Sequence, residues 1–164
     1  MSANRTKSPS RPLYTSAQRA RRDATKWTLV QGILAPVQFL AFAVSLVLVL
    51  LFLATGDHYQ AATVSILVKT ALLAAIMVTG AIWEKVVFGQ YLFAPAFFWE
   101  DVFSFAVIGF HTWYVIGLMT GSLGPQGQML VTLAAYGTYL VNATQFLLKL
   151  RKARLDTQPQ GVMA

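Results

Sequence analysis

Three of the chain's six carboxylates, Glu84, Glu100 and Asp101, fall within the stretch WEKVVFGQYLFAPAFFWED, Trp83 to Asp101, between long apolar runs. Carboxylates beside hydrocarbon are costly to keep charged, so a cluster of them is a candidate for proton transfer. One group would give a proton, a second would take one, and a third would supply a negative field. An ordinary glutamate titrates near 4.3, so an acid working at pH 7 must be raised by about 2, equivalent to roughly 2.7 kcal/mol. Desolvation and a like charge nearby are the available means. Steps of 100° per residue place Glu100, Ser104, Val107 and His111 within a helical sector of about 60°, and turn Asp101 about 100° away toward a different neighbour. Thr138, Asn142, Gln145 and Lys149 repeat at helical spacing further on, and Glu84 with Lys85 closes the preceding apolar run.

The elements that position these groups read as membrane helices. Trp27 to Gly56 contains no charged residue, Ala61 to Trp83 contains only Lys69, and between Val102 and Leu148 only His111 is able to carry charge. About 20 apolar residues span a hydrocarbon core, so the last run is long enough for two spans, divided at GSLGPQGQ, Gly121 to Gln128. The expectation is an all-α integral membrane protein with four transmembrane helices and an aromatic interfacial or re-entrant loop between the second and third. Hydrophobic residues at 56% and charged residues at 12% agree with that class.

Residues 1–27 read as a basic, partly disordered N-terminal segment, 28–150 as the membrane domain, and 151–164 as a basic then disordered tail. Within the first, residues 13–27 form a basic amphipathic lead-in. The charged stretch ahead of the first apolar run is too long for an ordinary signal peptide. Seven cations precede the first span, Lys149, Arg151, Lys152 and Arg154 follow the last, and the loops at Thr55 to Gln60 and Gly121 to Gln128 have none. Both termini, and with them the carboxylate stretch, are therefore expected on the cytoplasmic side. The net charge of +7 sits mainly in the tails and suits anionic lipid headgroups rather than nucleic acid.

The absence of cysteine removes disulfides, thiolate nucleophiles and cysteine metal sites. His58 and His111 lie too far apart to share a metal, and no nucleotide-binding or classical hydrolase motif is present. Several features have two readings. Trp83, Tyr91 and Trp99 suit an interfacial belt or the wall of a pocket for a flat ligand. Lys69 snorkels toward the far side or has a function. His111 is a hydrogen-bonded core residue or a ligand to a cofactor metal. Pro36 is placed to kink the first span, and Gly117 with Gly121 forms a possible close-packing face.

The strings QGILAPVQFL (Gln31 to Leu40), VTGAIWEKVVFGQYLFAPAFFWEDVFS (Val78 to Ser104) and NATQFLLKLRKAR (Asn142 to Arg154) resemble the 2-vinyl bacteriochlorophyllide hydratase family of bacteriochlorophyll biosynthesis. The resemblance runs from about Tyr14 to Leu155. It implies hydration of the ring-A vinyl group of a magnesium chlorin, chlorophyllide a or its vinyl bacteriochlorophyllide counterpart, to a 1-hydroxyethyl group. The substrate would then be a chlorin and water, other enzymes of the pathway would be candidate partners, and the site would be a bacterial inner or intracytoplasmic photosynthetic membrane. No cofactor is called for. Protonation of the terminal vinyl carbon leaves a cation that the macrocycle delocalises, and water then adds to it. Glu84 or Glu100 would be the acid and the other the base, with Asp101 as orienting group. Trp83, Lys85, Trp99, Ser104, His111, Asn142 and Gln145 are the candidate substrate contacts, with His111 as a possible ligand to the substrate's magnesium. Lys85, Lys149 or Arg151 would pair with the propionate. A pigment carrier that returns its chlorin unchanged is the alternative, and a small proton-coupled transporter using Lys69 and His111 is a more distant one.

Overall fold

The computed structural model describes residues 13–155, and the expectations of disorder at the two termini fall outside them. A short helix, α1 (Ser16–Ala24), precedes four long ones: α2 (Lys26–Thr55), α3 (Tyr59–Phe88), α4 (Phe98–Thr120) and α5 (Pro125–Leu155). The described residues form no strand. Thr15 opens α1 with a reciprocal capping box, its hydroxyl accepting from the Gln18 amide while the Gln18 side chain accepts from the Thr15 amide. Thr25 interrupts the basic lead-in with extended backbone, so α1 and α2 are separate helices rather than one. α2 continues as helix through Pro36.

α2, α3 and α4 are long and apolar enough to cross a membrane. At 30 residues each, α2 and α3 measure about 45 Å. α5 has 31 residues but a more polar composition, and does not reach that standard. Its dilution has a structural cause: Gln128, Thr132, Tyr136, Tyr139 and Asn142, at helical spacing, are all buried against the other helices.

The bundle is apolar outside, and its buried polar side chains lie inside among apolar core residues. On α2, Leu29, Ile33, Val37, Leu40, Val44, Val47 and Leu51 are exposed, while Gln38, Phe42, Ser45, Val49 and Phe52 face inward. That arrangement suits a hydrocarbon surround, in which polar side chains gain by meeting one another between helices. α2 packs chiefly on α3 and α4 chiefly on α5, and the two pairs join through α2 with α5 and α3 with α4. Hydrogen bonds set the register: Gln31 donates to Thr79 at 2.7 Å, Ser45 pairs with Ser65 at 2.7 Å, and the Tyr136 hydroxyl reaches Ser45 at 2.5 Å.

Two expectations are corrected. Lys69 does not snorkel outward; its side chain has no exposed surface and lies over the Tyr139 ring, because its position on α3 faces the bundle interior. Gly117 is filled within the chain, since a Cβ there would stand 2.5 Å from the Leu123 side chain, so the glycine admits the chain's own turn rather than a second helix.

α1 docks on the end of α3. The Arg21 guanidinium donates twice to the Val87 carbonyl, at 2.9 and 2.7 Å, and so satisfies a carbonyl the helix end leaves open. Tyr14, Val87, Phe97 and Ala153 form a small core around it, bringing the N-terminal helix and the end of α5 to the same end of the bundle as the carboxylates.

Candidate active site

α3 ends at Gly89, whose φ of 89° is the left-handed conformation that terminates helices and favours glycine. Residues 90–97 then turn without regular helix before α4 begins. Glu84 stands in the penultimate turn of α3 and Glu100 and Asp101 in the first turn of α4, where the helix dipole favours negative charge. All three are at most 5% exposed.

The loop closes over two of them. Phe93 adopts φ 59°, a conformation costly for a side chain of its size, and the resulting turn aims consecutive amides inward. The Phe93 amide donates to Asp101 Oδ2 at 2.6 Å, and the Ala94 amide donates to Glu84 Oε2 at 3.1 Å. Glu84 and Asp101 are thus neighbours beneath two consecutive loop amides.

Glu100 has a different environment. Its Oε2 lies 3.3 Å from Lys149 Nζ, which also donates to the Ala96 carbonyl, so a single lysine ties α5, the loop and α4 together. One turn below, Asn142 donates to Ser104 at 2.8 Å. A cleft of about 240 Å³ opens beside Glu100, lined by Gln145, Leu148, Lys149 and Lys152. Phe93 stacks on Phe105 at 5.5 Å and meets Phe98 at 5.6 Å, making an aromatic outer wall.

The structure brings together Glu84, Glu100, Asp101, Ser104, Asn142 and Gln145. Trp83 is nearby but occupied: its indole N–H donates to Thr28 and its ring packs edgewise on Phe88 and Phe97. Lys85 turns to the Gly89 carbonyl and the Tyr91 ring. Trp99 is 64% exposed on the outside of α4. His111 keeps to the face of Glu100 and Ser104 but stands about 16 Å deeper, eleven residues along the helix. The Phe93 and Ala94 amides carry no signal in the sequence. The position of Lys149 near Asn142 and Gln145 was foreshadowed by their helical spacing, whereas the place of Lys152 on the cleft was not. Among the described residues no group of three or more His, Cys, Asp and Glu side chains is placed to hold a metal ion.

Three long apolar helices of membrane-spanning length, with three carboxylates enclosed at one end of the bundle, define the class as an integral membrane protein. The family model for 2-vinyl bacteriochlorophyllide hydratase matches residues 14–152, and the chain belongs to that family. It is 72% identical over 151 residues to a 2-vinyl bacteriochlorophyllide hydratase of Cereibacter sphaeroides, covering 92% of this chain and 93% of that one. It is 69% identical over 154 residues to the protein of the same name from Rhodobacter capsulatus, covering 93% and 90%. No solved structure matches the chain.

Proposed function

We infer that this chain is a hydro-lyase that adds water to the vinyl group of a bacteriochlorophyllide, with the Glu84 and Asp101 pair as proton donor and Glu100 as base. The observation that carries this division of roles is the contrast in partners. Glu84 and Asp101 lie side by side beneath two consecutive amides with no cation on either among the described residues, whereas Glu100 faces a lysine. The pair gives its proton to the terminal vinyl carbon, and the π electrons form the new C–H bond. The cation left on the inner carbon is spread over the macrocycle and stabilised by the Glu100 carboxylate. Water forms the C–O bond to that carbon as Glu100 takes its proton. Transfer of that proton back to the pair completes the cycle.

The enclosed carboxylates require the loop after Gly89 to move aside before a macrocycle reaches them. The cleft beside Glu100 is the entry we favour, with Lys152 at its rim for the substrate's carboxylate, since Lys149 is engaged with Glu100 and Ala96. Four spans, α2 to α5, with both termini and the site toward the cytoplasm of a bacterial inner or intracytoplasmic photosynthetic membrane, complete the reading. The basic residues of α1 and of the end of α5 favour that orientation.

The test is incubation of membranes containing the protein with a vinyl chlorin in oxygen-18 water, followed by product mass. One labelled water per product establishes the addition; chlorin bound but recovered unchanged overturns the enzyme in favour of a carrier.

A further inference from the structure

The short helix α1 stands outside the carboxylate site, yet its contacts reach both ends of the loop that encloses that site. Tyr14, just ahead of α1 and buried, stacks on Phe88 at 5.8 Å and meets Phe97 at 6.4 Å. Phe88 is the last residue of α3 and Phe97 the last before α4, so one ring bridges the two feet of the loop. The feet also meet each other, with 5.8 Å between their ring centroids. Arg21 adds a second hold through its two hydrogen bonds to the Val87 carbonyl, one turn past Glu84 on α3. A third runs through Thr28, whose hydroxyl donates to the Arg22 carbonyl at 2.6 Å and accepts from Trp83, the ring that packs edgewise on Phe88 and Phe97.

What these contacts fix lies within the loop. The Phe97 amide donates to the Ala94 carbonyl at 2.7 Å, and the Phe97 carbonyl accepts from the Asp101 amide at 3.0 Å. Phe97 therefore closes the tight turn that begins at Ala94 and opens the helix that carries Asp101. The amides that meet Asp101 and Glu84, those of Phe93 and Ala94, belong to the same few residues. Phe93 at φ 59° is in a costly conformation, and such residues persist only where their surroundings over-determine them. Pinning the two ends of a loop removes conformations otherwise open to it. A helix that served only to hold its cations against lipid headgroups would gain nothing from turning a guanidinium to a backbone carbonyl. We propose that Tyr14 and Arg21 are positioning residues of the hydratase, pinning the feet of the loop so that its amides meet Glu84 and Asp101. The effect on turnover rests on the proton-donor reading of that pair, whereas the effect on the loop does not.

Hydrogen exchange of the full-length protein in nanodiscs, read by mass spectrometry on the peptide covering residues 90–97, tests it together with steady-state kinetics on a vinyl chlorin. Tyr14→Leu and Arg21→Gln should each speed exchange in that peptide about tenfold, with exchange in the middle of α2 and α5 unchanged as the check on folding. In both variants kcat should fall about 10- to 100-fold while KM changes less than about twofold, since the acids are misplaced and the substrate's contacts are not. Tyr14→Phe keeps the ring and should restore both readouts. Arg19→Gln removes the same charge from α1 without removing the hydrogen bonds to Val87, and should leave both at wild-type values. Wild-type exchange in Tyr14→Leu and Arg21→Gln would overturn the proposal. So would an equal loss in Arg19→Gln, which would make α1 a headgroup anchor. Faster exchange with kcat intact would uphold the positioning of the loop and overturn instead the part given to Glu84 and Asp101.

Discussion

Two neighbouring acids on α4 have different partners because they point in different directions. Glu100 and Asp101 are about 100° apart around the helix, so one meets Lys149 of α5 while the other meets Glu84 of α3. That divergence was legible in the spacing alone. The amides that hold Glu84 and Asp101 were not, because they belong to a turn that exists only if Phe93 takes a left-handed conformation, and nothing in its residue type announces that. General acid or base catalysis contributes about 10²- to 10⁴-fold, so Glu84→Gln, Asp101→Asn and Glu100→Gln should each lower kcat by that order while chlorin binding persists. Turnover and pigment retention, measured together, check it; full activity in all three variants would exclude the carboxylates from the chemistry. Lys149→Met makes a separate prediction. It leaves Glu100 buried without its cation, which should destabilise the protein toward the lower end of roughly 3–5 kcal/mol, since Lys149 is itself 28% exposed. Unfolding in detergent measures that loss, and in Lys149→Met with Glu100→Gln much of it should be recovered.

Secondary elements were legible where one property extends over many residues, and less so where a single contact decides. Long apolar runs, broken only by Lys69 and His111, marked α2, α3 and α4. The separation of α1 from α2 depends on Thr25, whose hydroxyl accepts from the Trp27 amide, a local competition that charge and hydropathy do not register. Lys69 was misread for a related reason: its distance along α3 suggested an outward path, but its angular position directs it to Tyr139. Glycines give two tests at this scale. A Cβ on Gly89 would meet no neighbour, so Gly89→Ala isolates the conformational cost of a positive φ, about 1–2 kcal/mol. It should also lower activity by disturbing the loop that Gly89 begins. Gly117→Ala is the opposite case, crowded by Leu123 rather than strained, and should cost about 1–3 kcal/mol, largely recovered by adding Leu123→Ala. A thermal-unfolding cycle over the four proteins distinguishes intrachain filling, which predicts that recovery, from helix association, which does not.

The whole molecule is apolar on its exterior and keeps its polar side chains among the buried residues, and that distribution bears on α5. Judged by composition, α5 is the least membrane-like of the long helices, yet its polar residues are those the bundle buries, and Leu130, Leu140, Val141, Leu147 and Leu148 remain on its exposed surface. A helix whose polar face is covered presents lipid with its apolar face, so a fourth span is consistent with a hydropathy that falls short. Charge then favours one orientation. Arg19, Arg21, Arg22 and Lys26 lie beside the start of α2, and Lys149, Arg151, Lys152 and Arg154 lie at the end of α5, all at the end of the bundle that holds the carboxylates. Cations flanking spans resist translocation, and the turns after α2 and α4 carry none. Reporter fusions at residue 1 and residue 164 should therefore both be active in the cytoplasm, and cysteines introduced at Thr55 and Ser122 should react with an impermeant thiol reagent added from the periplasm. A C-terminal reporter active only in the periplasm would remove α5 from the spans. It would also part Lys149 and Ala153 from the end of α3 that Arg21 holds, against which α5 packs through the Tyr14 and Phe97 cluster.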